Sequence, residues 1–212
     1  MIASRELCQY PRSPLRRGPR TAHLLAAALL PSLLIGPGPS AHAVGPYGKL
    51  DTAGQRLPDS ARNWACVEDS GTGLVWEHKT NDSSLRDVNN TYSWTALKSA
   101  NRERYNEKDG GSCTGGIDCD TASYARRLNE DKLCGFDDWR VPTRVELKTL
   151  RTTSSESPKI DQTYFPYTWE SVYWASSGER EKPLSIDFGD GFDYINRHSR
   201  AKYLRLVRGD SE

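Results

Sequence analysis

The sequence predicts an α+β domain, short helices packed on a mostly antiparallel sheet, and three observations carry that prediction. Strand-length runs rich in aromatic and β-branched residues fill the later part of the 212-residue chain, at 172–175, 184–188, 192–195 and 203–208. Two or three short helical patterns lie between these runs and an early strand pair. Four cysteines remain once the N-terminal segment is set aside, the even number expected of an oxidised domain stapled by two disulfides. A strand pair, then helices, then a sheet is the order of an α+β fold.

The N-terminal segment reads as an export signal. Residues 11–20 carry four arginines and no acid, residues 24–35 read LLAAALLPSLLI, and Ala41-His42-Ala43 has the small-x-small pattern of a signal peptidase site. The apolar run is too short and too interrupted by Pro31 to span a bilayer stably. Residues 1–43 are expected to leave as a signal peptide, delivering about 169 residues to the periplasm or beyond, enough for one domain. With five Arg and one Glu removed, 29 basic and 28 acidic side chains become 24 and 27, a net charge near −3 instead of +1. That balance argues against a nucleic-acid partner. No apolar run of membrane-spanning length follows, so the mature chain is not expected to cross a membrane.

Residues 44–62 contain Gly45, Pro46, Gly48, Gly54 and Pro58 with few large apolar side chains, which predicts an extended leader before a domain at 63–209. Cys66-Val67 and Leu74-Val75-Trp76 flank the turn-forming EDSGTG and predict a hairpin. Residues 78–91 read as a polar loop. Ser93 ahead of Trp94, Leu97 and Ala100 predicts a modest helix with Ser93 as its N-cap. Residues 106–119, with four glycines, predict a loop, followed by a helix from Thr121 to about Leu133 with Tyr124, Ala125 and Leu128 on one face and Gly135 as its stop. Thr143 and Glu146 form a T-x-x-E capping box ahead of a short helix to about Arg151. Gly189-Asp190-Gly191 predicts a tight turn between two late strands.

Four cysteines permit three pairings. The short, glycine-containing TGGID favours Cys113 with Cys119, leaving Cys66 for Cys134. Chain entropy assigns about 4 kcal/mol to the wide loop and about 2 kcal/mol to the narrow one. A four-thiolate zinc site competes, but the sequence has no C-x-x-C pair and the compartment is oxidising.

A catalytic constellation is hard to assemble. Beyond the signal there are only two histidines, His78 and His198, the thiols are better spent on disulfides, and no phosphate loop, nucleophile elbow or zinc-protease motif occurs. No enzyme and no resident cofactor are expected. Asp187, Asp190 and Asp193, with Asp82, Asp87 and Asn89, supply oxygens that suit calcium, although their spacing departs from a calcium loop and an ordinary hairpin explains the late three. Asp138-Trp139-Arg140 offers either sugar recognition or a core tryptophan beside a structural arginine. From Tyr194 to Gly209 there is no acid, and Arg197, Arg200, Lys202 and Arg205 are expected to hold an anionic ligand, with Arg208 on the opposite face of the last strand from Arg205.

Taken in order, the segments 69–77 (DSGTGLVWE), 135–147 (GFDDWRVPTRVEL), 164–166 (YFP), 173–177 (YWASS), Phe188 with Gly191, and 203–208 (YLRLVR) resemble the Lcl C-terminal domain family, named for the end domain of the Legionella collagen-like adhesin. The resemblance implies a C-type-lectin-like fold, akin to the formylglycine-generating enzyme architecture, and an extracytoplasmic binding role. For the named adhesin it implies glycosaminoglycan attachment and trimer formation. This chain has neither a Gly-X-Y tract nor a Glu-Pro-Asn sugar motif. The function expected is thus a non-catalytic binding module for an anionic polysaccharide or another surface glycan. A structural or oligomerisation domain of an envelope protein, and an enzyme of the formylglycine-generating kind with reactive cysteines, are the alternatives.

Overall fold

Two antiparallel sheets organise the chain, and alternation feeds both faces of the first: Cys66 and Val75 enter one core cluster, Val67, Leu74 and Trp76 the other. The computed structural model describes residues 46–95, 110–178, 183–194 and 201–210, all within one unit that runs from Ala41 to Glu212. In the first sheet β1 (Tyr47–Leu50), β2 (Cys66–Asp69), β3 (Leu74–Glu77) and β7 (Val207–Arg208) lie in the order β1-β2-β3-β7. The second holds β4 (Val172–Ser176), β5 (Pro183–Asp187) and β6 (Asp193–Tyr194) in that order.

The predicted hairpin is β2–β3, with Val67 opposite Trp76. Its turn is fixed by Asp69, whose carbonyl accepts the Gly73 N–H at 2.8 Å and whose carboxylate accepts the Gly71 N–H at 2.9 Å. Gly73 takes φ +73°, a left-handed conformation that a side chain would strain.

The expected leader is corrected by β1. Tyr47–Leu50 pairs along its whole length with β2, Leu50 enters the core, and buried Lys49 donates to the carbonyls of Asp59 and Ala61 at 2.9 and 2.8 Å. Glycine and proline around a four-residue strand hide its pattern. The ordered domain therefore includes part of the segment 44–62 expected to be an extended leader.

α1 (Thr121–Glu130) starts at Asp120, whose carboxylate accepts the Ala122 and Ser123 N–H groups, and buries Tyr124, Ala125 and Leu128. A 3-10 turn at Leu133–Gly135 follows, with Gly135 at φ +79°. α2 (Arg144–Thr149) carries the predicted capping box: Thr143 Oγ1 accepts the Glu146 N–H and Glu146 accepts the Thr143 N–H. Most of the helix expected after Ser93 lies outside the described residues. Ser93 itself donates to the Cys119 carbonyl, and Trp94 is buried against Trp174 with ring centroids 5.5 Å apart.

Cys66 is joined to Cys134 and Cys113 to Cys119. The first bond ties β2 to the turn after α1, within a core that contains Trp94, Trp139 and Trp174; Trp76 belongs to a second cluster with Tyr173, Phe165 and Phe188.

The last predicted strand, 203–208, is regular only at Val207–Arg208. Upstream it stitches the sheets together one bond at a time. Lys202 pairs with Tyr92, the Tyr203 carbonyl accepts the Trp174 N–H at 2.9 Å, and the Leu206 carbonyl accepts the Glu77 N–H at 3.0 Å. A segment that changes partner every two or three residues cannot keep one ladder, and that places Arg205 between the sheets.

Candidate functional site

The expected cationic patch is not what the described residues present. Arg197 and Arg200 lie outside them. Lys202 is buried with its ammonium 3.8 Å from the centre of the Trp174 ring. Arg205 is fully buried: Nη1 donates to the Glu77 carbonyl at 2.6 Å, and Nη2 to the Tyr167 carbonyl and Thr168 Oγ1 at 3.0 and 2.9 Å. A guanidinium without exposed surface clamps its own chain and does not grip a polyanion, so both residues are corrected to structural roles. Arg208 is half-buried and paired with Asp138 through two bonds of 3.0 and 2.9 Å.

Asp138-Trp139-Arg140 also resolves toward structure. Trp139 fills the core and donates from Nε1 to the Leu133 carbonyl at 3.1 Å. Arg140 meets both oxygens of Glu146, at 2.8 and 2.7 Å, and reaches the Gly209 carbonyl, locking α2 to the C-terminal segment. Burial works to raise the Glu146 pKa, but the bonds from Arg140 and the Thr143 N–H win and hold its carboxyl below the ordinary range.

The acidic residues considered for calcium fall into separate places. Asp87 organises its own loop by accepting N–H groups from Asp82, Ser83 and Asn89. Asp193 faces Arg144, Lys148 and Arg151 at 3.2, 2.5 and 3.8 Å. Among the described residues no group of three or more His, Cys, Asp or Glu side chains is placed to share a metal ion.

What the fold does present is an aromatic face that the sequence reading missed. Residues 161–171 put Tyr164, Phe165, Tyr167 and Trp169 within six positions, an aromatic density that was itself the available signal. Phe165 points into the core, while Tyr167 and Trp169 are 39% and 47% exposed. The loop beneath them is pinned at several points. Arg205 holds Tyr167 and Thr168, Tyr173 Oη accepts the Trp169 N–H at 2.9 Å, and Trp64 Nε1 donates to the Tyr164 carbonyl at 3.1 Å.

Around the loop the aromatics are continuous. His78 lies with its ring centroid 4.5 Å from Trp64 and 5.7 Å from Tyr167, Tyr47 is 5.4 Å from Tyr164, and Lys49 Nζ sits 4.0 Å from the centre of the Trp64 ring. Burial, then the charges of Arg205, Arg86 and Lys49, push the His78 pKa down to about 3, so the imidazole is neutral over the working range. The three cations are held by oxygens of carbonyl and hydroxyl groups: Lys49 as above, Arg86 on the Ala65 and His78 carbonyls at 2.9 Å, and Arg205 on Glu77, Tyr167 and Thr168. Their hydrogen-bond partners are neutral oxygens, while Glu77 acts electrostatically on Arg205, and Arg86 on Asp82.

Against known families, the Lcl C-terminal domain model matches residues 65–208, well over half of the chain. The chain belongs to the Lcl C-terminal domain family. No curated protein and no solved structure matches it. In this Lcl C-terminal domain the motif residues are mostly architectural: Trp76, Trp139 and Trp174 are buried, Thr143 and Glu146 cap α2, and Arg205 anchors the aromatic loop. All four cysteines among the described residues are in disulfides. No helix among the described residues is long and apolar enough to cross a membrane.

Proposed function

We propose that the chain is an exported, non-catalytic binding module with a C-type-lectin-like, adhesin-like end domain, and that it receives an anionic glycan on the face formed by Trp64, Tyr164, Tyr167 and Trp169. The observation that carries this reading is the pair of exposed rings on a loop whose backbone is pinned from below by Arg205, Tyr173 and Trp64. Pre-ordered aromatics lose little conformational entropy on binding and offer flat apolar surface with polar edges, which suits the C–H face of a sugar ring. Lys49, Arg86 and Arg205 lie behind the rings without reaching the ligand, and their field favours one bearing carboxylate or sulfate. Disulfides and membership of an adhesin-associated family are compatible with an extracytoplasmic location.

A glycan array with calcium or chelator added, followed by titration of the best ligand, tests the reading. Tyr167→Ala and Trp169→Ala are each expected to weaken binding about tenfold, the equivalent of about 1.4 kcal/mol per stacked ring. Arg197→Ser and Arg200→Ser form a separate arm for the basic segment. An array without hits, together with a defined oligomer that Tyr167→Ala dissolves, would favour a subunit interface instead, which exposed aromatics also fit.

A further inference from the structure

His78 sits under Tyr167 of the proposed ligand face, at a place where several elements converge. It follows β3 directly, its ring packs between Trp64 and Tyr167, and it is buried. The charged groups around it come from four directions. β1 contributes Lys49, the loop after His78 contributes Arg86, bonded to the His78 carbonyl, and the C-terminal segment contributes Arg205. From β3, Glu77 sends its carboxylate to Lys79, Tyr124 and the Leu206 N–H. Asp59 and Asp161 act on Tyr164 at the far side of the face.

The same Arg205 that crowds His78 also holds the binding loop, through the Tyr167 carbonyl and Thr168. Resting on the reading of this face as a ligand site, we propose that His78 is an acid-operated release for the loop 161–171: its protonation adds a fourth positive charge to Lys49, Arg86 and Arg205 beneath Tyr167, and the loop lifts to let the imidazolium hydrate. Burial beside Lys49, Arg86 and Arg205 disfavours the imidazolium and outweighs the favourable contact with the Trp64 backbone, whereas the opened loop returns it to water. With the closed-state pKa pushed down to about 3 against an ordinary 6.5, the open form takes up the proton first. Closure is thus fully favoured above pH 6.5 and weakens as pH falls from 6.5 toward 3, by up to tenfold in the closing equilibrium per pH unit.

Hydrogen exchange on the free protein reads this directly. The Trp169 amide, bonded to Tyr173 Oη, reports the loop, and the Trp174 amide, bonded to the Tyr203 carbonyl, reports the sheet. After correction for intrinsic exchange, protection at Trp169 is expected to fall by up to roughly fiftyfold between pH 6.5 and 4.5 while Trp174 changes little. His78→Phe should abolish the fall, and His78→Gln serves if the phenyl ring disturbs packing, since neither titrates. Protection that does not change with pH, an equal fall in both variants, or a parallel fall at Trp174 would overturn the proposal. A glycan that binds wild type at pH 7 and equally at pH 5 would also overturn it. The absence of any glycan binding at pH 7 would count against the ligand reading and leave the exchange result to decide the switch.

Discussion

Glu77 is the residue whose neutralisation should cost the fold most. Its side chain is fully buried; one oxygen accepts from Lys79 Nζ at 3.0 Å and from Tyr124 Oη, and the other accepts the Leu206 N–H at 3.0 Å. Glu77→Gln keeps the shape and strands a buried ammonium, a change worth about 3–5 kcal/mol. The loss has a ceiling, because Lys79 can shed its proton. Burial already holds the Lys79 pKa below its ordinary 10.5, with Glu77 the main opposing influence. Deprotonating a lysine of ordinary pKa costs about 4.8 kcal/mol at pH 7 but only about 2 kcal/mol at pH 9, at 1.36 kcal/mol per pH unit. Urea denaturation of the variant at the two pH values should therefore show a deficit of about 3–5 kcal/mol at pH 7 that shrinks by as much as about 2.7 kcal/mol at pH 9. Adding Lys79→Met should recover most of it. A deficit under about 1 kcal/mol at pH 7, or one identical at both pH values, would refute the reasoning.

Other outcomes follow from the same contacts. Replacing both Cys66 and Cys134 by Ala opens a link across 68 residues and should cost about 4 kcal/mol, against about 2 kcal/mol for the pair Cys113 and Cys119, read as the difference in urea midpoints. Glu146 is held below its ordinary 4.5, so its contribution is present above that value and is lost as pH falls below it; Glu146→Gln should flatten the acid limb of a thermal-stability profile. Thr143→Ala removes the α2 cap and should cost about 1 kcal/mol by chemical denaturation.

Much of the fold was legible because it rests on local rules. The hairpin at 66–77, the capping box at Thr143 and Glu146, and the α1 face of Tyr124, Ala125 and Leu128 are each written within a few residues. β1 was not legible, since a four-residue strand flanked by glycine and proline has no pattern of its own and gains its place by pairing with β2. The site is hidden in the sequence for a related reason. Charge in a sequence says nothing of burial, and Lys202 and Arg205 bury their charge on Trp174 and on backbone carbonyls, contacts set by a segment crossing between sheets. The aromatic loop was visible as composition, yet only the fold separates the buried Phe165 from the exposed Tyr167 and Trp169.

Acrylamide quenching of tryptophan fluorescence, with and without saturating anionic oligosaccharide from the array, places the ligand most directly. Of six tryptophans, Trp76, Trp94, Trp139 and Trp174 are buried, Trp64 is half-buried and Trp169 is exposed, so the accessible component reports the proposed face. Ligand should protect that component, and Trp169→Phe should remove most of it along with its protection. Saturable binding that leaves quenching unchanged would put the ligand elsewhere on the domain and contradict the assignment of this face.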